Sequence, residues 1–153
     1  MYLVPLEYRH HAELMEVVKI AEPWMYIHRA AFDAILGGRE GFVLVDAAGR
    51  IKGAITYSDY RPGVDVIVHC TVHPDCHRKW LTKKIYTQVF DHVFVTLGLH
   101  RCSGHRVSGT LTPDTFHERL GFVHEGTIRQ GARIQGELQD VFIYGMLKED
   151  RRW

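Results

Sequence analysis

The sequence predicts an α+β domain: one central, mostly antiparallel sheet with helices on both faces. Three observations carry this reading. Apolar residues recur at helix spacing in the first third, short apolar runs divided by turn residues occupy positions 41 to 72, and a long amphipathic stretch follows Pro74 before strand signals return.

Tyr2 to Glu7 suits a short opening strand. Leu14, Val17, Val18 and Ala21 then recur at helix spacing until Pro23, which cannot continue the pattern. A second helix is expected from about Met25 to Leu36, carrying Ile27, Ala31, Ala34 and Ile35 and stopped by Gly37-Gly38. The period then changes. Gly41-Phe42-Val43-Leu44-Val45 is a short apolar run, Asp46 to Arg50 is turn chemistry, and Ile51 to Tyr57 resumes as strand, which makes a hairpin. After Arg61-Pro62-Gly63, Val64 to Val72 reads as a third strand in succession, so three antiparallel neighbours are expected. Cys76 to Leu97 reads as one long helix with the stripe Ile85, Val89, Phe90, Val93, Phe94 and Leu97, capped by Gly98. Leu99 to Val107 is a more polar strand, and Pro113 to Leu120 is a short helix with proline in its first turn. Phe122 to Arg129 and Val141 to Leu147 are the last strands, joined by the Gly-rich stretch Gly131 to Gly136. The resulting order is β-α-α-β-β-β-α-β-α-β-β.

A chain of 153 residues fits one domain, 1–153, and can bury a real core. With 46% hydrophobic and 24% charged residues it has the ordinary globular mixture, which argues against long disorder. A formal net charge of +1 gives no drive toward nucleic acid or a membrane surface. Cys70, Cys76 and Cys102 form an odd set without framework spacing, which favours a reducing compartment over a disulfide-stapled secreted domain. No apolar run approaches the ~20 residues of a membrane span, and the start shows no basic-then-apolar leader, so a soluble cytoplasmic protein is expected.

Chemistry is expected where the third sheet strand ends: Val72-His73-Pro74-Asp75-Cys76-His77-Arg78-Lys79-Trp80-Leu81-Thr82-Lys83-Lys84. The first turn of a helix carries unpaired backbone N–H groups and a partial positive charge, so it suits an anion such as a diphosphate. Arg78, Lys79, Lys83 and Lys84 add four cations to that end. The same cations also suit a plain solvated helix face.

A strand, Val-x-Pro, a basic loop and a long helix resemble the acetyl-CoA motif of the GNAT acetyltransferases. A second match is Glu118-Arg119-Leu120-Gly121-Phe122-Val123-His124-Glu125-Gly126-Thr127-Ile128-Arg129, followed by Gly136, Asp140 and Tyr144-Gly145-Met146-Leu147. That series is similar to the branch containing the ribosomal-protein N-terminal acetyltransferases, and the matches span roughly residues 40 to 147. The resemblance implies acetyl-CoA as cosubstrate and direct attack by an amine. His77, Arg78, Lys79, Trp80, Leu81 and Thr82 would hold the pyrophosphate, and backbone at Thr71 and Val72 would position the thioester carbonyl. Thr110 stands where many members have an Asn contacting the pantetheine arm. His117 stands where the wider family often has a Tyr that protonates the departing thiolate, and a half-buried structural histidine is the alternative. The fourth and fifth strands would part to admit the pantetheine.

The loop departs from the family pattern. His77, Trp80 and Thr82 occupy positions usually held by Gln or Arg, by Gly, and by Gly or Ala. Trp80 must turn its indole from the phosphates for the amides to serve, while Thr82 brings a hydroxyl donor. No general base stands out; His69 and Glu7 are candidates. Glu13, Glu16 and Glu22, with Trp24 and Tyr26, could receive a cationic amine or simply cover the sheet, and the acceptor groove is expected between the N-terminal helices and the loop from Gly131 to Gly136.

His69, Cys70, His73, Cys76 and His77 crowd nine residues, but the paired spacing of a zinc site is missing, so no metal is expected. Cys76 as a nucleophile is disfavoured, because the resemblance puts it near the pyrophosphate. Trp80 among cations also resembles a nucleic-acid patch, which the near-zero net charge disfavours. The expected partner is an amine, either a protein N-terminus or a small molecule, and a homodimer is left open. The alternative function is a GNAT-like binding or assembly module without activity.

Overall fold

The computed structural model describes residues 1–23, 29–37 and 39–153. Eleven main elements follow in chain order: β1 (Tyr2–Pro5), α1 (His11–Ala21), α2 (Arg29–Gly37), β2 (Glu40–Val45), β3 (Ile51–Arg61), β4 (Asp65–Val72), α3 (Lys83–Asp91), β5 (Arg101–Val107), α4 (Phe116–Leu120), β6 (Val123–Ile134) and β7 (Glu137–Leu147). This is the order the sequence predicts. The expected Met25 start of the second helix, with Trp24 and Tyr26, lies outside the described residues, as does Gly38. The strands form one seven-stranded sheet in the order β1-β2-β3-β4-β5-β7-β6. β1/β2, β2/β3, β5/β7 and β6/β7 pair antiparallel, and β4 pairs β5 parallel.

Two compact units divide the chain: Met1–Ser58 with His69–Val89, and Asp59–Val68 with Phe90–Trp153. In the first, Leu14, Met15, Val17 and Val18 of α1 and Phe32 and Leu36 of α2 pack with Val43, Val45, Ile51 and Ala54. Leu14 is 1% exposed, and full burial of such a side chain is worth about 1.5–3 kcal/mol. Helix α1 stops as Pro23 predicts, its last bond running from the Glu22 N–H to the Val18 carbonyl at 2.8 Å. The β2–β3 turn is held by Asp46, whose Oδ1 accepts from the Ala48 and Arg50 amides at 2.9 and 3.0 Å. β3 runs past the expected Tyr57 to Arg61, and the buried Tyr57 hydroxyl donates to the Val89 carbonyl at 3.0 Å.

In the second unit, β5 and β7 pair from Arg101↔Leu147 to Val107↔Val141. Phe90 stacks near Phe94 (6.4 Å between centroids) and meets the Phe122 ring edge-on at 5.9 Å. Ile67 of β4 registers with Ser103 of β5.

Two expectations are corrected. The stretch after Pro74 is not one helix from Cys76: Pro74–Cys76 is a 3₁₀ turn, α3 begins only at Lys83, and a π-helical turn follows at His92–Thr96. Arg78, at φ 70°, stands in the left-handed region, which interrupts helical winding. Gly131 to Gly136 is not a loop either. Ala132↔Gln139, Arg133↔Leu138 and Ile134↔Glu137 are paired, and Gln135 and Gly136 (φ 50° and 87°) make a tight two-residue hairpin turn.

Gly53 shows how closely β3 approaches β4. A Cβ there would land against the Thr71 carbonyl oxygen and 3.0 Å from the Val72 Cα, both backbone atoms that cannot swing away. Gly53→Ala is expected to lower stability by about 1–3 kcal/mol in urea unfolding; an unchanged midpoint would show that the two strands are not held this close.

Candidate active site

In the first unit, β4 delivers the chain into a compact turn. The His73 amide donates to the Lys52 carbonyl at 2.8 Å, tying the strand end to β3. Asp75 accepts from Lys52 Nζ at 2.8 Å. A bond from the Cys76 thiol, then the Lys52 ammonium, holds the Asp75 carboxyl well below the usual carboxylate range. Burial, reinforced by that carboxylate, pushes the Cys76 thiol up to about 11, so it is a poor nucleophile near neutrality. His77 Nε2 lies 3.2 Å from the Val72 carbonyl, an acceptor only, so this nitrogen carries the proton.

The loop amides are less available than the sequence suggests. Lys79 and Trp80 both donate to the Cys76 carbonyl, at 3.0 and 3.2 Å, and the Thr82 amide donates to the Trp80 carbonyl at 3.1 Å. The expectation that the Trp80 N–H serves a phosphate is therefore corrected: the turn takes it. The Trp80 side chain is 7% exposed, so its indole is withdrawn from the surface on which Arg78, Lys79, Lys83 and Lys84 stand exposed. Leu81 is half-buried behind them. Thr82 caps α3: its Oγ1 accepts the Ile85 amide at 3.3 Å and its carbonyl accepts the Tyr86 amide at 2.9 Å. The amides of Lys83 and Lys84, the first of the helix, have no intrahelical acceptor, so they and two flanking ammonium groups remain for an outside anion.

Further back on β4, the Thr71 hydroxyl donates to Glu22 Oε1. Burial raises the Glu22 carboxyl above its ordinary range, and the Thr71 bond offsets part of that rise. His69, two residues before Thr71, lies 2.7 Å from Ser58 Oγ through its Nε2. Glu7, the other candidate base, is exposed and engaged with Arg9 at 2.9 Å.

The second unit contains Thr110 and His117. Thr110 Oγ1 donates to the Val107 carbonyl at 2.8 Å, within its own loop. His117 stacks on Tyr144 at 4.5 Å with an interplanar angle of 9°, and Phe116 and Phe122 meet it edge-on at 5.5 and 5.6 Å. Gly104 makes room for the imidazole: a Cβ there would stand 3.1 Å from its Cδ2. Burial first, then the charges of Arg106 and His105, lowers His117 to about 4. At neutral pH the ring is uncharged, so it can donate a hydrogen bond but holds no excess proton to transfer. A sequence without Cβ positions cannot reveal this cage.

Sequence reasoning also missed a polar cavity of about 450 Å³ in this unit, lined by Asp59, Tyr60, Arg61, Asp65, Ile67, Ser103 and His105. At its wall the buried Asp65 accepts from Arg61 and from Ser103 Oγ, each at 2.7 Å. A carboxylate inside a strand pattern gives no warning of such partners. Among the described residues, no group of three or more His, Cys, Asp or Glu is placed to hold a metal ion, and no helix is long and apolar enough to cross a membrane.

Solved structures similar to the chain include a mutant spermidine N-acetyltransferase SpeG from Vibrio cholerae, at 19% identity and TM-score 0.81 over 96% of this chain and 95% of that one. The fold is that of the GNAT acetyltransferases. A Vibrio cholerae spermidine N-acetyltransferase in complex with CoA and spermine is similar at 19% identity and TM-score 0.76, over 97% of this chain and 96% of that one. A candidate phosphinothricin N-acetyltransferase matches at 16% identity and TM-score 0.76, over 95% and 98%. No protein-family model matches the chain, and no curated protein sequence does. At these identities the likeness carries the architecture.

The lowered His117 has a consequence for stability. Between the ordinary imidazole range near pH ~6.5 and about 4, the unfolded chain binds a proton that folded His117 refuses, so stability falls as pH drops through that window. His117→Phe is expected to lose less stability than the parent across the same window, read from urea midpoints at its two ends. An equal loss in both proteins would show that His117 titrates normally.

Proposed function

We propose that this chain is an acetyl-CoA-dependent N-acetyltransferase that passes the acetyl group to a primary amine by direct attack. The observation that carries the proposal is the start of α3. Its first amides, at Lys83 and Lys84, lack intrahelical acceptors, and with the exposed Arg78, Lys79, Lys83 and Lys84 they make a cationic helix start on a fold shared with acetyltransferases, one of them in complex with CoA. In this reading the pyrophosphate rests on the 77–82 turn and the first turn of α3. Arg78 and Lys79 supply charge and the Thr82 hydroxyl supplies a donor, while Trp80 and Leu81 anchor the turn from beneath. His77 fixes the Val72 carbonyl beside the backbone of Thr71 and Val72 that would orient the thioester. By the same family resemblance, β4 and β5 would admit the pantetheine between them, with Thr110 toward its arm.

His117 in its neutral state would give the departing sulfur a hydrogen bond; the proton itself comes from the attacking nitrogen. A thioester is reactive enough that holding an uncharged amine against it supplies much of the rate. Small cationic amines are the preferred acceptors, since two of the similar enzymes are spermidine acetyltransferases. A protein N-terminus, as in the ribosomal-protein branch, is the second choice.

One observation favours the alternative of an inactive binding module: the Lys79 and Trp80 amides are both engaged by the Cys76 carbonyl, which thins the phosphate cradle. Free-thiol release from acetyl-CoA in the presence of spermidine, spermine or a tripeptide separates the readings. Amine-dependent thiol release is expected. Lys83→Glu should raise KM for acetyl-CoA by roughly tenfold or more, because a charge-assisted bond is worth about 1.5–3 kcal/mol. Binding of acetyl-CoA without thiol release from any of these amines would establish the module instead.

A further inference from the structure

All three acidic residues of the first helix region have partners, but only Glu22 meets the strand assigned to the thioester. Glu13 Oε1 accepts the Ile51 amide at 2.7 Å, and exposed Glu16 pairs with Lys19 at 2.6 Å. Glu22 differs from both. It follows the last turn of α1, is half-buried, and meets β4 at the Thr71 hydroxyl, beside the backbone assigned to the thioester. One accepted bond does not exhaust a carboxylate, which can take several more.

We infer that Glu22 is the catalytic base of this chain, receiving the substrate ammonium at the Thr71 edge of β4 and removing its proton. The inference rests on the acetyl-transfer reading above. The ammonium gives one proton to the Glu22 carboxylate, and the freed nitrogen lone pair forms the C–N bond to the thioester carbon. The C–S bond then breaks, and the second proton lost from nitrogen neutralises the thiolate. Glu22 returns its proton to solvent, so acetyl-CoA and an ammonium become an amide, a thiol and one released proton.

The surroundings suit this task. Burial raises the Glu22 carboxyl, and a stronger base is a better match for an amine. Thr71 opposes that rise by donating to the charged form. Among the described residues, Cys70 of β4 is the titratable group that senses the Glu22 charge, and His69 on the same strand is turned to Ser58. Lys19, on the same helix, is committed to Glu16.

The test is the pH profile of thiol release with acetyl-CoA and the best acceptor among spermidine, spermine and a tripeptide. In the parent, kcat should fall on the acid side as the base is protonated, with a midpoint above that of an ordinary glutamate. Glu22→Gln should lower kcat at neutral pH by roughly 10²-fold or more and abolish the acid limb, while leaving the calorimetric titration with CoA unchanged. Glu22→Asp should restore the limb at reduced kcat. A Glu22→Gln enzyme that keeps near-parental kcat and the same acid limb overturns the assignment. If the Gln variant fails to fold, Thr71→Val decides: it removes the donor but keeps the carboxylate, so the limb must move to higher pH, and an unmoved limb overturns the assignment. No CoA heat from the parent, or CoA heat without acetylation of any acceptor, overturns the transfer reading itself rather than the choice of base.

Discussion

Thr82 stands at the start of α3 with both acceptor atoms turned into the helix, its hydroxyl oxygen on Ile85 and its carbonyl on Tyr86. That cap fixes where helical winding begins, and so fixes which two amides face outward. Upstream, Arg78 in the left-handed region folds the chain back so that Trp80 is buried and its amide closes on Cys76. A bulky indole in a phosphate-loop position is thereby compatible with an open cationic surface. In the proposed reading, the loop amides that the turn consumes are replaced, one turn later, by those of a capped helix carrying two lysines.

The strand that feeds this turn is held by two contacts. Beside it, Gly53 allows the β3 backbone to approach Thr71 and Val72. The Thr71 hydroxyl, in turn, engages Glu22 just after α1. Burial of a carboxylate is costly, and at half-buried Glu22 the hydroxyl donor partly offsets that cost while leaving the charged form accessible. Pro23 thus ends α1 where the next residue, Glu22, meets β4.

The order of elements was legible because each has its own signal. Leu14, Val17, Val18 and Ala21 carry a helical period, Asp46 and Gly49 mark a turn, and Pro74 closes β4. Boundaries set by backbone dihedrals were not legible. Arg78 gives no hint that it will adopt a positive φ, so the pattern of the Ile85-to-Leu97 stripe reads back to Cys76. Gly131 reads as the opening of a loop, yet its neighbours pair across β6 and β7. In the candidate site, the cations and the Thr110 and His117 positions could be read by family resemblance. The engagement of the Trp80 amide is local but follows from the unexpected Arg78 dihedral, while the aromatic cage that lowers His117, the Asp65–Ser103 contact and the Glu22–Thr71 contact depend on residues distant in sequence, which no local pattern encodes.

The account turns on an anion seat made by the first amides of α3. Backbone amide NMR during a CoA titration measures that seat directly. Saturable shifts at Lys83 and Lys84, with an affinity in the micromolar range of about 8 kcal/mol, are the predicted result. Resonances at these two residues that stay fixed at saturating CoA would contradict it, whatever activity the chain shows.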